Sequence, residues 1–198
     1  YLLFRNAGFV ANAAPVADPS FPIHLTHMDL DLQFELQAAV VDPDGDDVYY
    51  ELLGSSNGTA SLSPDGRVLT FIPTAGYTGT ARIDILADDG FNQSDPITLD
   101  VNVSDAELID IEIVQRQPTL GIGSRMNLQV LGTFSDQADV PLSDDYLTYT
   151  SSDAAILSVD ADGMLTGVAD GYAAITLARG SIADATAVTV GTPFDELN

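Results

Sequence analysis

Residues Ile97 to Val114 read ITLDVNVSDAELIDIEIV. Apolar side chains stand at Ile97, Leu99, Val101 and Val103 with polar ones between them, the two-residue period of a strand with one buried and one wet face. The period breaks at Ser104-Asp105-Ala106-Glu107 and restarts in LIDIEIV, from Leu108 to Val114. One sheet ends and another begins, so a domain boundary is expected near Asp105.

The same alternation recurs on both sides of that boundary. Before it come Val48 to Leu53, Thr59 to Leu62, Arg67 to Ile72 and Ala81 to Leu86. After it come RMNLQVLGTF, YLTYTSSD, YAAITLARG and ADATAVTV. Each run is bounded by Gly, Pro, Asn, Ser or Asp, the punctuation of a sandwich with a turn every 8 to 12 residues or so. No stretch sustains a 3.6-residue period, and VANAAPVA is stopped by Pro15. An all-β chain with little helix is expected.

Composition narrows the function classes. The 198 residues are 45% hydrophobic, enough for two domains of roughly 90 to 100 residues with a core in each. Asp and Glu number 30 against six Arg and no Lys, for a formal charge of −24. Such a surface repels nucleic acid and anionic lipid. The absence of Cys removes disulfides, thiolate metal sites and cysteine nucleophiles, and the absence of Lys removes Schiff-base chemistry. No apolar run approaches the roughly 20 residues of a membrane helix. The chain starts at Tyr1 rather than Met, so a leader or more of a longer polypeptide is expected upstream.

The acidic bias is concentrated in VDPDGDDVYY, Val41 to Tyr50. A turn that brings Asp42, Asp44 and Asp46 to one side supplies hard, charged oxygens suited to calcium, with Pro43 fixing one φ and Gly45 permitting the reversal. It is no EF-hand, because Asp47 and Leu53 stand where that loop needs Gly and Glu. The alternative is a set of solvated turns whose carboxylates bond nearby amides.

Residues 12–105 resemble the bacterial cadherin-like domains of surface proteins through NAAPVA, DPDGDDVYYEL, GTASLSPDGRVLTFIP, GYTGTARIDILADDG and ITLDVNVSD. Residues 106–191 resemble the group 2 bacterial immunoglobulin-like domain through LIDIEIV, LGIGSRMNLQVLGTFSD, LTYTSSDAAILSVDADGMLTGVADGYAAITL and ATAVTV. Tyr149 stands where that family usually has Trp, as the aromatic that fills its inter-sheet core.

The resemblance implies two tandem β-sandwiches of Greek-key topology. Residues 1–11 would then be a linker, a strand of a preceding module or a strand lent to a neighbour, and 192–198 a tail. It further implies a calcium site with Asp42, Asp44 and Asp88 as ligands and a carbonyl oxygen from Asn12; Asp46 joins them as the third carboxylate of the loop, and Asp47 and Asp89 stand beside them. The family's acidic residue in the first strand and its full Asn-rich linker are missing, which favours one ion over a cluster of three.

The expected function is a non-enzymatic structural or adhesive building block of an extracellular fibre, adhesin stalk or surface layer, rigidified by calcium. Two alternatives are carbohydrate-binding accessory modules of a secreted polysaccharide-acting enzyme, and a filament subunit that donates its N-terminal strand. Expected partners are neighbouring modules or identical subunits, a surface glycan or a protein receptor, with no nucleic acid and no membrane insertion.

Other residues carry weaker signals. His24 and His27 sit three apart, which on a strand sends them to opposite faces and makes a shared metal unexpected. Asp105 reads as a polar hinge, and Asp160, Asp162 and Asp170 as turn residues before Gly163 and Gly171. The Asn57-Gly58-Thr59 sequon reads as a turn. Alternation sends Tyr49 and Tyr50 to opposite faces, so one at most joins the core, and the absence of Trp counts against a sugar-stacking platform.

Overall fold

A computed structural model describes residues 11–191. The expectations for Tyr1–Val10 and for the 192–198 tail lie outside the described residues. The chain divides into two compact units between Asp105 and Ala106.

In the first unit the strands are β1 (Val16–Ala17), β2 (His24–His27), β3 (Leu32–Glu35), β4 (Val40–Val41), β5 (Tyr49–Ser56), β6 (Gly58–Leu62), β7 (Val68–Pro73), β8 (Gly79–Asp88) and β9 (Ile97–Ser104). One sheet has the order β2-β9-β8-β5, a second β3-β7-β6, and β1 pairs with β4. The chain leaves the first sheet after β5, builds β6 and β7 in the second, and returns as β8, which is the crossover of a Greek key.

Alternation decides which residues face inward. Ala81, Ile83, Ile85 and Ala87 of β8 are fully buried, and Ile97, Leu99, Val101 and Val103 of β9 meet them from the same face. Phe34, Leu69 and Phe71 close the core from the other sheet. All pairings in this unit are antiparallel except β2 with β9, which run parallel, from His24 beside Val101 to His27 beside Ser104. A bulge between Leu52 and Gly54 breaks the pairing of β5 with β8.

The second unit contains β10 (Leu108–Ile113), β11 (Thr119–Leu120), β12 (Arg125–Met126), β13 (Val130–Phe134), β14 (Val140–Pro141), β15 (Thr148–Ser151), β16 (Leu157–Val159), β17 (Leu165–Gly167), β18 (Gly171–Arg179) and β19 (Ile182–Val190). Its sheets run β11-β19-β18-β15, β10-β13-β14 and β12-β17-β16. Ala173, Ile175 and Leu177 of β18 face Val188 and Val190 of β19 in the core.

The aromatic expected to fill this core from Tyr149 comes instead from Tyr146, which is buried and packs 6.4 Å from Phe134. The reason is a single 3-10 turn, Asp144–Tyr146, that tucks Tyr146 inward. Tyr149, only half-buried, donates its hydroxyl to Asp144 at 2.7 Å. Burial first, and then that carboxylate, push its phenol well above the ordinary tyrosine range.

Candidate functional site

The acidic loop between β4 and β5 is organised by its first carboxylate. Asp42 Oδ1 accepts the backbone N–H groups of Asp44, Gly45 and Asp46 at 2.9, 2.8 and 3.0 Å. Three amides on one oxygen hold the reversal, and Gly45 takes the left-handed φ of 83° that the turn requires. The other oxygen, Asp42 Oδ2, is buried with no hydrogen-bond partner.

The chain entering the sandwich is tied to this loop. Ala13 N–H donates to Asp44 Oδ2 at 2.6 Å, and the Asn12 side-chain amide donates to Asp46 Oδ2 at 2.7 Å. Asn12 is gripped from the other side by Asn92, whose amide donates to the Asn12 backbone carbonyl at 3.0 Å and to its Oδ1 at 2.8 Å.

Asn92 belongs to a tight loop after β8. Asp89 Oδ1 accepts the N–H groups of Phe91 and Asn92, both at 2.7 Å, and Asp89 N–H donates back to the Asn92 carbonyl. Asp89 is 5% exposed, and its Oδ2 is buried and unpartnered. Asp88 has a different environment: its Oδ1 accepts from Gly90 N–H and its Oδ2 from the Gln93 amide, both within its own turn.

Asn12, Asp44 and Asp46 are therefore brought into direct contact, with Asp42 beneath their loop, whereas Asp88 is engaged elsewhere. The acidic residue after β8 that joins this network is Asp89, through Asn92. The signal for it was in the alternation: positions 81, 83, 85 and 87 point inward, and 89 continues the series. Nothing in the sequence pattern distinguished Asn92 from an ordinary turn residue.

Among the described residues no three His, Cys, Asp or Glu side chains converge into an arrangement that holds a metal ion. The expected four-carboxylate convergence is absent because amides of Asn12, Ala13 and the loop itself occupy the carboxylates. The donors nonetheless fit a hard cation: all are oxygens, and two of them, on Asp42 and Asp89, are buried with nothing to compensate them.

The two histidines part company. His24 stacks on Phe34 with centroids 3.9 Å apart and meets Phe21 edge-on at 5.1 Å, and burial holds its pKa below the ordinary histidine value. His27 is 1% exposed at the far end of β2. Asp160 Oδ1 accepts from the N–H groups of Asp162 and Met164, as a turn residue does. Asn57 adopts φ 60°, and its amide donates to the Tyr77 hydroxyl and the Thr80 carbonyl, so the sequon is spent on a turn.

Comparison with known proteins agrees with this architecture. Residues 12–102 match the family model of the bacterial Ig domain, and residues 109–190 that of the bacterial Ig-like domain (group 2). The chain is two bacterial immunoglobulin-like domains in tandem. The cadherin-like label for the first domain thus gives way to the bacterial Ig description.

A curated relative, Ice-binding protein 1 of Shewanella frigidimarina (strain NCIMB 400), is 27% identical over 173 residues. The alignment takes in 85% of this chain but 18% of the relative's length. Among solved structures, domains 5-6 of the S-layer protein SbsC superpose with a TM-score of 0.41 at 17% identity, covering 89% of this chain and 98% of that one. An endo-fucoidan hydrolase of glycoside hydrolase family 107 gives a TM-score of 0.38 at 15% identity, covering 90% of this chain and 28% of that one.

Proposed function

We propose that these tandem Ig-like domains are a non-catalytic structural segment of a long extracellular bacterial surface protein, and that calcium binds the first domain where the chain enters it. The observation that carries the ion is the pair of buried, unpartnered oxygens, Asp42 Oδ2 and Asp89 Oδ2, on loops that Asn12 and Asn92 join. A buried carboxylate oxygen without a partner is costly, and a hard cation offsets that cost. Asp42, Asp44, Asp46 and Asp89 with the Asn12 carbonyl would hold it. A bound ion supplies charge compensation; the residues themselves fix the entering strand against the β4–β5 loop.

The wider role rests on family membership together with the alignment of this pair to a fraction of a much longer relative. Sandwiches joined through a short polar segment suit a stalk or surface layer, where length and resistance to unfolding matter more than chemistry. Among the described residues no helix is long and apolar enough to cross a membrane.

The test is thermal and denaturant unfolding after chelation, with calcium then added back. Calcium held by the folded state alone, at about a hundredfold above its dissociation constant, raises stability by about 2.7 kcal/mol. That rise is expected in the native chain and not in the Asp42→Asn, Asp89→Asn double variant. Identical melting curves for the native chain with calcium and with chelator remove the ion from the account.

A further inference from the structure

The first domain also carries a cleft of about 560 Å³ between the β4–β5 loop, the start of β5 and the β6–β7 turn. That volume lies within the range of small-ligand sites. Its wall combines an exposed aromatic ring, carboxylates, one guanidinium and one side-chain amide: Tyr49, Asp47, Asp65, Arg67 and Gln37 all line it.

The aromatic is held in place by its neighbour. Tyr50 donates its hydroxyl to the Leu36 carbonyl at 2.9 Å and packs against the core. Alternation along β5 then turns Tyr49 to the other face, where it is 66% exposed. Asp65 is held too. Its Oδ1 accepts from the Ser63 hydroxyl at 2.6 Å and the Arg67 N–H at 3.3 Å, and those bonds hold its carboxyl below the usual carboxylate range. Its Oδ2 has no protein partner, and the Arg67 guanidinium makes no hydrogen bond or ion pair among the described residues.

The chemistry of the wall selects its occupant by elimination. Asp42, Asp46, Asp47 and Asp65 outnumber Arg67, so the cleft repels anions. A wholly apolar ligand would strip water from those carboxylates without replacing its hydrogen bonds. A single metal ion would leave most of the space unfilled and gains nothing from Tyr49 or Arg67. A ligand with an apolar ring face and hydroxyls around its rim satisfies each group. The ring stacks on Tyr49, the hydroxyls donate to Asp47 and Asp65, and they accept from Arg67 and Gln37.

We propose that this cleft binds a segment of a neutral polysaccharide, with Tyr49 as its stacking platform and Asp65 and Arg67 reading its hydroxyls. The surface module is then also a glycan-attachment module. Uronate and sulfated glycans are excluded by the same carboxylates that accept the neutral hydroxyls.

The experiment uses the full chain in calcium-containing buffer, so that the ion site is unchanged throughout. It is titrated with cellohexaose, laminarihexaose and maltohexaose, and with a sulfated and a uronate hexasaccharide as charged counterparts. Binding of at least one neutral hexasaccharide is expected, weakened about tenfold or more in Tyr49→Ala and in Arg67→Gln, whose melting curves stay native. None of the substituted residues belongs to the calcium cluster, so the two proposals fail separately. No binding of any neutral probe by the folded chain overturns the inference. Equal binding by the native chain and both variants overturns it too, as does preference for the charged saccharides or for a Lys-rich peptide.

Discussion

The side-chain amide of Asn12 donates to Asp46 Oδ2 at 2.7 Å, joining residues 34 positions apart at the point where the chain enters the first domain. The same Asn12 accepts twice from Asn92, so one residue bridges the loops after β4 and β8. Asn12→Ala is expected to lower the unfolding free energy by about 1 kcal/mol in chelator, the net value of a hydrogen-bonded contact of this kind. It also removes most of the calcium-dependent gain. Urea unfolding with and without calcium measures both, and an unchanged calcium gain would separate Asn12 from the ion.

Gly58 is placed where no side chain fits. A Cβ there would lie 2.3 Å from Phe71 Cζ and 2.6 Å from the Ile72 carbonyl oxygen. Phe71 is fully buried and has nowhere to move. Gly58→Ala is therefore expected to cost about 2 kcal/mol through overpacking, read as a lower denaturation midpoint with an unchanged slope. Native-like stability would mean that the strand can shift away from Phe71.

His24 gives the first domain a pH dependence of known sign. Its ring is stacked between aromatic neighbours, its Nε2 is buried without a partner, and burial depresses its pKa in the folded state. The unfolded chain therefore binds the proton more readily, near the ordinary pKa of about 6.5. The stabilising contribution is full above that value and is lost as pH falls through the folded pKa. Melting temperature is expected to drop between neutral pH and mildly acidic pH, and His24→Phe should flatten that part of the curve. A variant with the same slope as the native chain would assign the dependence to other groups.

In the second domain the Arg179 guanidinium lies 4.2 Å over the Tyr146 ring and donates to the Tyr146 carbonyl at 3.2 Å. Arg179→Ala is expected to cost about 1 kcal/mol, and Arg179→Lys to recover only part of it, because an ammonium lacks the planar stacking surface. Comparing the two variants by chemical denaturation checks this; equal losses would reduce the contact to simple charge.

The sandwich architecture was legible because burial obeys a period of two. The runs Arg67 to Ile72, Ala81 to Leu86 and Pro96 to Val103 became β7, β8 and β9 with shifts of one or two residues at their ends. Tyr49 and Tyr50 separated to opposite faces as alternation requires. What was not legible depended on irregular backbone. The 3-10 turn that buries Tyr146 in place of Tyr149 has no periodic signature. Neither has the turn that spends both Asp88 oxygens locally while Asn92 reaches Asn12. The cleft beside Tyr49 joins residues from three separate segments, none of which announces the others.

One feature common to both domains bears on how they respond to pulling. In each, a strand near the beginning runs parallel to the last one: β2 beside β9, and β11 beside β19. The polypeptide thus enters the first pair at one pole and leaves it at the other. Tension along the polypeptide drags the two strands past each other lengthwise, and the rungs between them resist together instead of opening in sequence. A tether made of such units yields in abrupt steps, holding its length under load until a whole domain gives way.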